Sequence, residues 1–365
     1  MGMAGCSMEK ETKEPETGTT KKEEGEKRIA FISPANQFDF FVYIGAEIKK
    51  IGEEKGVQVD MFDAALDVNK EADLMSQAVL QKYDAIIVGP VDTEALVPSI
   101  KEANEAGIPV INYDSFVEGA DVYARVGSGN KEMGALAGEY AAEMLKEKNG
   151  EVKGNVIVLS YPALETMNQR NAGFIEVMKE YPDVVIKEET VEECTAEGGQ
   201  KLTDNLLIAN PEGSLDIIYG SNAGVALGAL ASVSSADRKD VALVGIDNEE
   251  GQLNALKDGS FYKATIAQDS YSIGEKAMEA ALAAIEGEKT GDVVVPGILV
   301  TAENVEEYLA DDQAKKEMMS ATRKPTPPTR VSMMVQVLRV VFSSMPTTFY
   351  HLFHSAISVS QKIPT

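Results

Sequence analysis

From Arg28 to Asp312, short apolar runs rich in β-branched residues alternate with stretches of helical periodicity. The runs that read as strands are Arg28–Ser33, Val57–Phe62, Asp84–Val88, Val110–Tyr113 and Val122–Val126, then Asn155–Ser160, Val184–Thr190, Asp216–Tyr219, Val241–Ile246, Lys263–Ala267 and Val293–Val300. Helical segments between them include Phe41–Glu54, Asn69–Lys82, Thr93–Ala106, Lys131–Lys148, Thr166–Tyr181 and Tyr271–Glu286. Several strands, AIIVG and VALVG among them, are apolar throughout, as central parallel strands covered on both faces must be. Gly107-Ile108-Pro109 and Tyr181-Pro182 are helix stops leading into the next strand. Such alternation predicts right-handed βαβ units and parallel sheets covered by helices. The strands are too many for one comfortable sheet, and the series restarts after about Gly127. The expected fold is therefore α/β, with two doubly wound, Rossmann-like lobes.

Composition narrows the function. A chain of 365 residues with 44% apolar content can build two cores, and the absence of any long uncharged apolar run argues against a membrane-spanning helix. Its net charge of −25 repels phosphate backbones, so no nucleic-acid partner is expected. With only Cys6 and Cys194, no disulfide framework forms. Both histidines, His351 and His354, stand near the C-terminus, which leaves the body without a His-based catalytic or metal site. G-x-S-x-G, G-x-x-x-x-G-K-[ST] and a strand-linked G-x-G-x-x-G are all missing, and no enzymatic activity, cofactor or metal is expected.

In open α/β sheets, ligands sit beyond the carboxyl ends of the strands. The residues there are Asn36 to Phe41 after the first strand, Gly89, Pro90 and Asp92 after the third, and Asp114 and Ser115 after the fourth. In the second series Tyr161 opens a loop leading to Arg170, while Asn222, Asp247 and Gln268 each close a strand. Aromatic faces pack on C–H surfaces, and carboxylates and a guanidinium select hydroxyls through charge-assisted hydrogen bonds. A small polyhydroxylated ligand fits that inventory. Each residue also has a plainer reading: Asp114 as a helix cap, Asn222 as an N-cap, Phe41 as core.

At this point a resemblance is specific. The first strand followed by Phe40-Phe41-Val42, then DAIIVGPVD, GIPVINYD, QRNAGF, SNAGVALGAL, LVGID and ATIAQDSYSIG, resemble in the same order the type I periplasmic sugar-binding proteins of the ribose-binding group, from about Arg28 to Leu309. The resemblance implies two lobes joined by a three-segment hinge, closing on a monosaccharide and delivering it to an ABC permease and its ATPase. It implies that Phe40 and Phe41 sandwich the sugar ring, Asp114 accepts hydroxyl protons and Arg170 donates from the second lobe. Asn222, Asp247 and Gln268 would complete the polar shell, with Gln268 beside one crossing. The others would fall near Gly127–Gly129 and Pro296–Gly297. The expected domains are 28–127 with 269–296, and 128–268 with 297–312.

The chain departs from the ribose-binding pattern at positions that touch the ligand. Gly89 stands where the pattern has Asn, Ser115 where it has Arg, and its second-lobe aromatics fall near Cys194 and at Ile246. Losing a bidentate donor and a stacking face disfavours ribose and leaves another pentose, a hexose or a cyclic polyol. Cys194 is read as a small buried hydrophobe.

The ends differ from the body. Met3-Ala4-Gly5-Cys6-Ser7 resembles the close of a bacterial lipoprotein signal, which would make Cys6 the lipidated residue; a start assigned late, or a trimmed signal, would account for the apolar segment that normally precedes it. Residues 8–27 hold seven Glu and five Lys, and are expected to form a disordered tether. A lipid-anchored, extracytoplasmic monomer follows as the expectation. Residues 321–365 contain no Asp or Glu and carry +5, leaving −30 on the first 320, so 313–365 is read as a non-native extension with no assigned function. A lac-repressor-type regulator would need a helix-turn-helix ahead of the body, which the first 27 residues lack. A sugar or autoinducer sensor on the same fold is the standing alternative to transport.

Overall fold

The computed structural model describes residues 27–322. The elements of its first half are β1 (Arg28–Ser33), α1 (Asp39–Lys55), β2 (Gln58–Asp63), α2 (Val68–Leu80), β3 (Ala85–Val88), α3 (Val97–Glu105), β4 (Val110–Tyr113), β5 (Ala124–Ser128), α4 (Asn130–Asn149), β6 (Gly154–Ser160) and α5 (Glu165–Met178). They continue with β7 (Val184–Thr190), α6 (Ala196–Ala209), β8 (Ile217–Gly220), α7 (Ala223–Ser235), β9 (Ala242–Ile246), α8 (Glu250–Lys257), β10 (Tyr262–Ala267), α9 (Ser270–Glu286), β11 (Val293–Val295), β12 (Ile298–Thr301) and α10 (Val305–Thr322). Two six-stranded sheets result, in the orders β11-β5-β4-β3-β1-β2 and β12-β10-β9-β8-β6-β7. Strands β3 and β4 are buried at every residue, whereas the edge strand β7 alternates towards solvent.

Each sheet is a two-sided core. Helices α1 and α9 cover one face of the first sheet through Ile44, Ile48, Ile273 and Ala277, and α2 and α3 cover the other through Met75 and Ile100. In the second sheet, α4 and α5 pack Met133, Ala137 and Phe174 on one face, and α7 and α8 pack Val225, Ala229 and Leu253 on the other.

The chain passes between the sheets three times. It leaves the first sheet after Ser128, returns after Ala267 and leaves again between Val295 and Ile298. These crossings are tied together: the Gly129 amide donates to the Val295 carbonyl at 3.1 Å, and the Ser128 hydroxyl donates to Oε1 of Gln268 at 2.8 Å.

Some local expectations need correction. The single strand expected over Val293–Val300 is two strands in two sheets, divided by Pro296-Gly297. Proline cannot donate to a ladder there, and a Cβ on Gly297 would lie 2.7 Å from Cγ of Met133, so only glycine lets the chain slip through. Strand β12 pairs antiparallel with β10, an exception to the parallel pattern. The stretch from Thr93 to Leu96 is turn, and α3 starts at Val97. Helices α6, α7 and α8 were not among the expected segments. Gly198 and Gly199 dilute the periodicity of α6, and α7 is too rich in Ala, Gly and Ser to show an amphipathic stripe.

The body closes at Leu309. Residues 310–322 carry α10 on past Asp312, with i,i+4 pairs from Lys315 to Asp311 (2.8 Å) and Lys316 to Asp312 (2.7 Å). Cys6, the expected tether apart from its last residue, Lys27, and positions 323–365 lie outside the described residues.

One buried carboxyl couples folding to pH. Glu71, in the first turn of α2, is 1% exposed, and its carboxyl accepts the Val91 amide at 2.9 Å. Burial pushes its pKa up to about 7, against the pull of that amide and helped by the charge on Asp92. Because the folded protein holds this proton after the unfolded chain has released it, stability is complete below pH 4.5 and declines as pH rises to about 7. The loss is on the order of 3 kcal/mol. Glu71→Gln is expected to remove that decline in urea unfolding at pH 5 and pH 8; parallel pH dependence in the two proteins would refute the assignment.

Candidate functional site

The second lobe holds a hydrogen-bonded group around one buried cation. Arg170 lies in α5, and α5 meets α4 backbone to backbone. A Cβ on Gly134 would collide with the Arg170 carbonyl, and one on Gly173 with the Lys131 carbonyl, so the two glycines permit the approach that brings Arg170 beside the start of α4. There Nε of Arg170 donates to Oδ1 of Asn130 at 2.8 Å, and Nη1 donates to the Ser221 carbonyl at 3.0 Å. Nη1 also pairs with Oδ1 of Asp247 at 3.4 Å, with side-chain exposures of 7% for Arg170 and 19% for Asp247. Among the described residues, Nη2 has no hydrogen-bond partner.

Asp247 follows β9 with φ of +78°, a left-handed conformation that Asp tolerates better than most residues. Its Oδ1 also accepts Nε2 of Gln268 at 2.8 Å, and its Oδ2 accepts the Ala223 amide at 3.0 Å, at the N-terminus of α7. Asn222 is the N-cap of that helix: its Oδ1 accepts the Val225 amide at 2.9 Å, as the plainer reading expected, while Nδ2 has no partner among the described residues. Gln268 spans two crossings, accepting from Ser128 and donating to Asp247. Arg170, Asn222, Asp247 and Gln268 thus converge.

In the first lobe, Asp114 follows β4 with φ of +67°, the same left-handed turn at the matching place in the sheet. It caps no helix. The Ser115 hydroxyl donates to its Oδ2 at 3.1 Å, and burial raises its pKa. Ser115 and the positive charge of Arg170 oppose that rise, whereas Asp247 adds to it, so Asp114 lies within the field of the second-lobe pair. Phe40 and Phe41 sit half-buried in the first turn of α1, with ring centroids 5.1 Å apart, and both pack against the first-lobe core. Phe41 also meets Tyr113 edge-on at 6.4 Å, which leads to Asp114. No hydrogen bond or ring contact joins these two phenylalanines to the second-lobe group among the described residues.

Three of the positions that depart from the ribose-binding pattern have defined surroundings. A Cβ on Gly89 would lie 2.7 Å from Cζ of Tyr113, whose buried ring stacks on Phe31, so that ring occupies the space of a side chain at 89. Ile246 is fully buried in the second-lobe core. Cys194 is half-buried with Sγ 3.4 Å from Sδ of Met167, and burial together with Asp247 raises its thiol pKa, with Arg170 opposing, which disfavours the reactive thiolate. Sequence reasoning missed Ser128, Asn130 and Ser221. The only signal was the Ser128-Gly129-Asn130 run at the first crossing, which reads as hinge rather than as partners of a guanidinium.

The chain is similar to known proteins. The periplasmic binding protein domain matches residues 29–289. The ribose import binding protein RbsB of Bacillus subtilis is 29% identical over 68% of this chain and 79% of its own. The xylitol-binding protein of Mycolicibacterium smegmatis is 30% identical over 66% of this chain and 67% of its own. Among solved structures, an ABC transporter solute binding protein from Bacillus halodurans with bound myo-inositol superposes with a TM-score of 0.67, at 28% identity, over 79% of this chain and 99% of that one. A family match over most of the body, joined to two lobes with three crossings, identifies the chain as a member of the periplasmic binding protein family with the type I fold.

Proposed function

We propose that this protein is an extracytoplasmic solute-binding protein that captures a monosaccharide or related polyol between its lobes and delivers it to an ABC importer. The observation that carries this reading is the Arg170–Asp247 pair, whose unengaged Nη2 lies in the same electrostatic neighbourhood as the half-buried Asp114 of the other lobe. Adjacent hydroxyls on a sugar can donate to Asp114 and Asp247 while accepting from Arg170 Nη2 and Asn222 Nδ2. Phe40 and Phe41 supply the apolar face for the ring C–H groups. Binding is thermodynamically a shift towards the closed lobes, and the Ser128, Gln268 and Pro296–Gly297 crossings are where the backbone would turn. In the lipoprotein reading, Cys6 bears the lipid, residues 8–27 are the tether, and the folded body works as a monomer. With the Asn and Arg of the ribose pattern replaced by Gly89 and Ser115, another pentose, a hexose or a cyclic polyol is favoured over ribose, and the xylitol and myo-inositol named for two relatives, with ribose as the comparison, are the first compounds to try.

Thermal unfolding against pentoses, hexoses and polyols tests the reading. A ligand at a hundredfold over its Kd adds about 2.7 kcal/mol, enough to raise Tm by several degrees. No shift with any sugar or polyol would overturn it. Arg170→Lys keeps the charge but loses the planar fork, and is expected to weaken binding at least tenfold while the protein stays folded; unchanged affinity would remove Arg170 from the site. For the anchor, mass spectrometry of membrane-fraction protein expressed in a bacterium from an extended upstream start should find Cys6 lipidated, and a free thiol there would refute it.

A further inference from the structure

A buried polar cluster lies directly behind Asp247, outside the contacts described so far. Thr265 in β10, Gln252 in α8 and Tyr262 in β10 are each no more than 1% exposed. The Thr265 hydroxyl donates to the Asp247 carbonyl at 2.6 Å. Nε2 of Gln252 donates to the Ile246 carbonyl at 2.7 Å and to the Tyr262 hydroxyl at 2.6 Å, and lies 3.2 Å from Oγ1 of Thr265. Oε1 of Gln252 accepts the Glu249 amide at 3.0 Å, which fixes which end of the amide faces the strand. The Tyr262 hydroxyl reaches the cluster across Gly245, where a Cβ would collide with it.

The two carbonyls held by this cluster flank Asp247. With the Asp247 amide donating to the Ile266 carbonyl at 2.9 Å, the peptide groups on both sides of its Cα are fixed, and so are its φ and ψ. A non-glycine residue at φ +78° persists where surrounding contacts over-determine it. From that conformation the carboxylate reaches Arg170, Gln268 and the Ala223 amide at once. A relaxed, extended Asp247 would point its side chain elsewhere and leave Arg170 without its counter-charge.

We propose that Thr265 and Gln252 are positioning residues that hold Asp247 in its left-handed conformation and thereby set the ligand affinity of the second lobe without touching the ligand. The affinity part rests on the reading of Asp247 as a ligand-binding residue; the conformational part does not.

The full-length chain is used for the test. Thr265→Val removes the hydroxyl at nearly constant shape, and Thr265→Ser restores it. Without ligand, amide hydrogen exchange at Ala223, whose N–H is held by the Asp247 carboxylate, is expected to accelerate at least tenfold in Thr265→Val and to return to within threefold of wild type in Thr265→Ser. Core amides of β6 and β8 should be unaffected in both. With D-ribose, xylitol and myo-inositol as probes, whichever binds the wild type should bind Thr265→Val at least tenfold more weakly and Thr265→Ser normally. Unchanged protection at Ala223, acceleration spread evenly over the core, or failure of Ser to rescue would overturn the proposal. Should none of the three probes bind the wild type, the exchange result still decides the conformational part, and the failure belongs to the ligand reading. If Thr265→Val does not fold, Gln252→Met, which removes the donor to the Ile246 carbonyl at similar volume, is read by the same exchange criterion.

Discussion

A guanidinium taken out of water governs the second lobe. Arg170 is nearly inaccessible, and a buried cation is tolerated only where hydrogen bonds and a counter-charge replace its hydration. Those partners come from three places: Asn130 at the start of α4, the Ser221 carbonyl after β8 and Asp247 after β9. Meeting them requires α5 to lie against α4 at backbone distance, which Gly134 and Gly173 allow. It also requires the chain beyond β9 to turn left-handed and present its carboxylate. Helix packing, strand-end geometry and site chemistry in this lobe are thus one constraint expressed at three scales.

The first lobe is built to a different rule. Asp114 makes the same left-handed turn as Asp247, but among the described residues its carboxylate is hydrogen-bonded only by the neighbouring Ser115, and the cation that opposes the rise in its pKa, Arg170, belongs to the other lobe. One carboxylate is fully organised by its own lobe, and the other depends on what faces it. On the proposed reading of Asp114 as a ligand-binding residue, a ligand bringing hydroxyl donors would supply what it lacks, and lobe closure and ligand capture would be one event energetically. Buried Asn112 shapes the loop beyond Asp114, accepting the Val117 amide at 2.8 Å and donating to the Ser115 carbonyl at 3.1 Å. Each lobe therefore keeps a buried amide behind its aspartate, Asn112 in one and Gln252 in the other.

Much of this was legible in the amino-acid order. Continuous apolar runs at β3 and β9 and helix stops such as Gly107-Ile108-Pro109 gave the alternation, because burial on both faces and proline's missing donor act locally. Strand-end placement brought forward Arg170, Asn222, Asp247 and Gln268, which the fold gathers into one group. Asn222 shows the limit: its sequence context, Ser-Asn-Ala ahead of a small-residue helix, predicts an N-cap and a site residue equally, and the folded chain uses one end of its amide for the cap. Ser128, Asn130 and Ser221 escaped because a hydroxyl, an amide and a carbonyl carry no local sign of a distant guanidinium.

What sequence determined alone was the class of the fold, its restart near Gly127 and the chemistry available at the strand ends, since each follows from periodicity and residue type over a few neighbours. What only the tertiary structure decided was the pairing of those groups. The division of Val293–Val300 between two sheets, the filling of the space at Gly89 by the Tyr113 ring, and the seating of Asp247 on Thr265 and Gln252 all join residues from different strands or helices. Such contacts depend on distances across the fold, and no local pattern encodes which of several buried polar groups will meet.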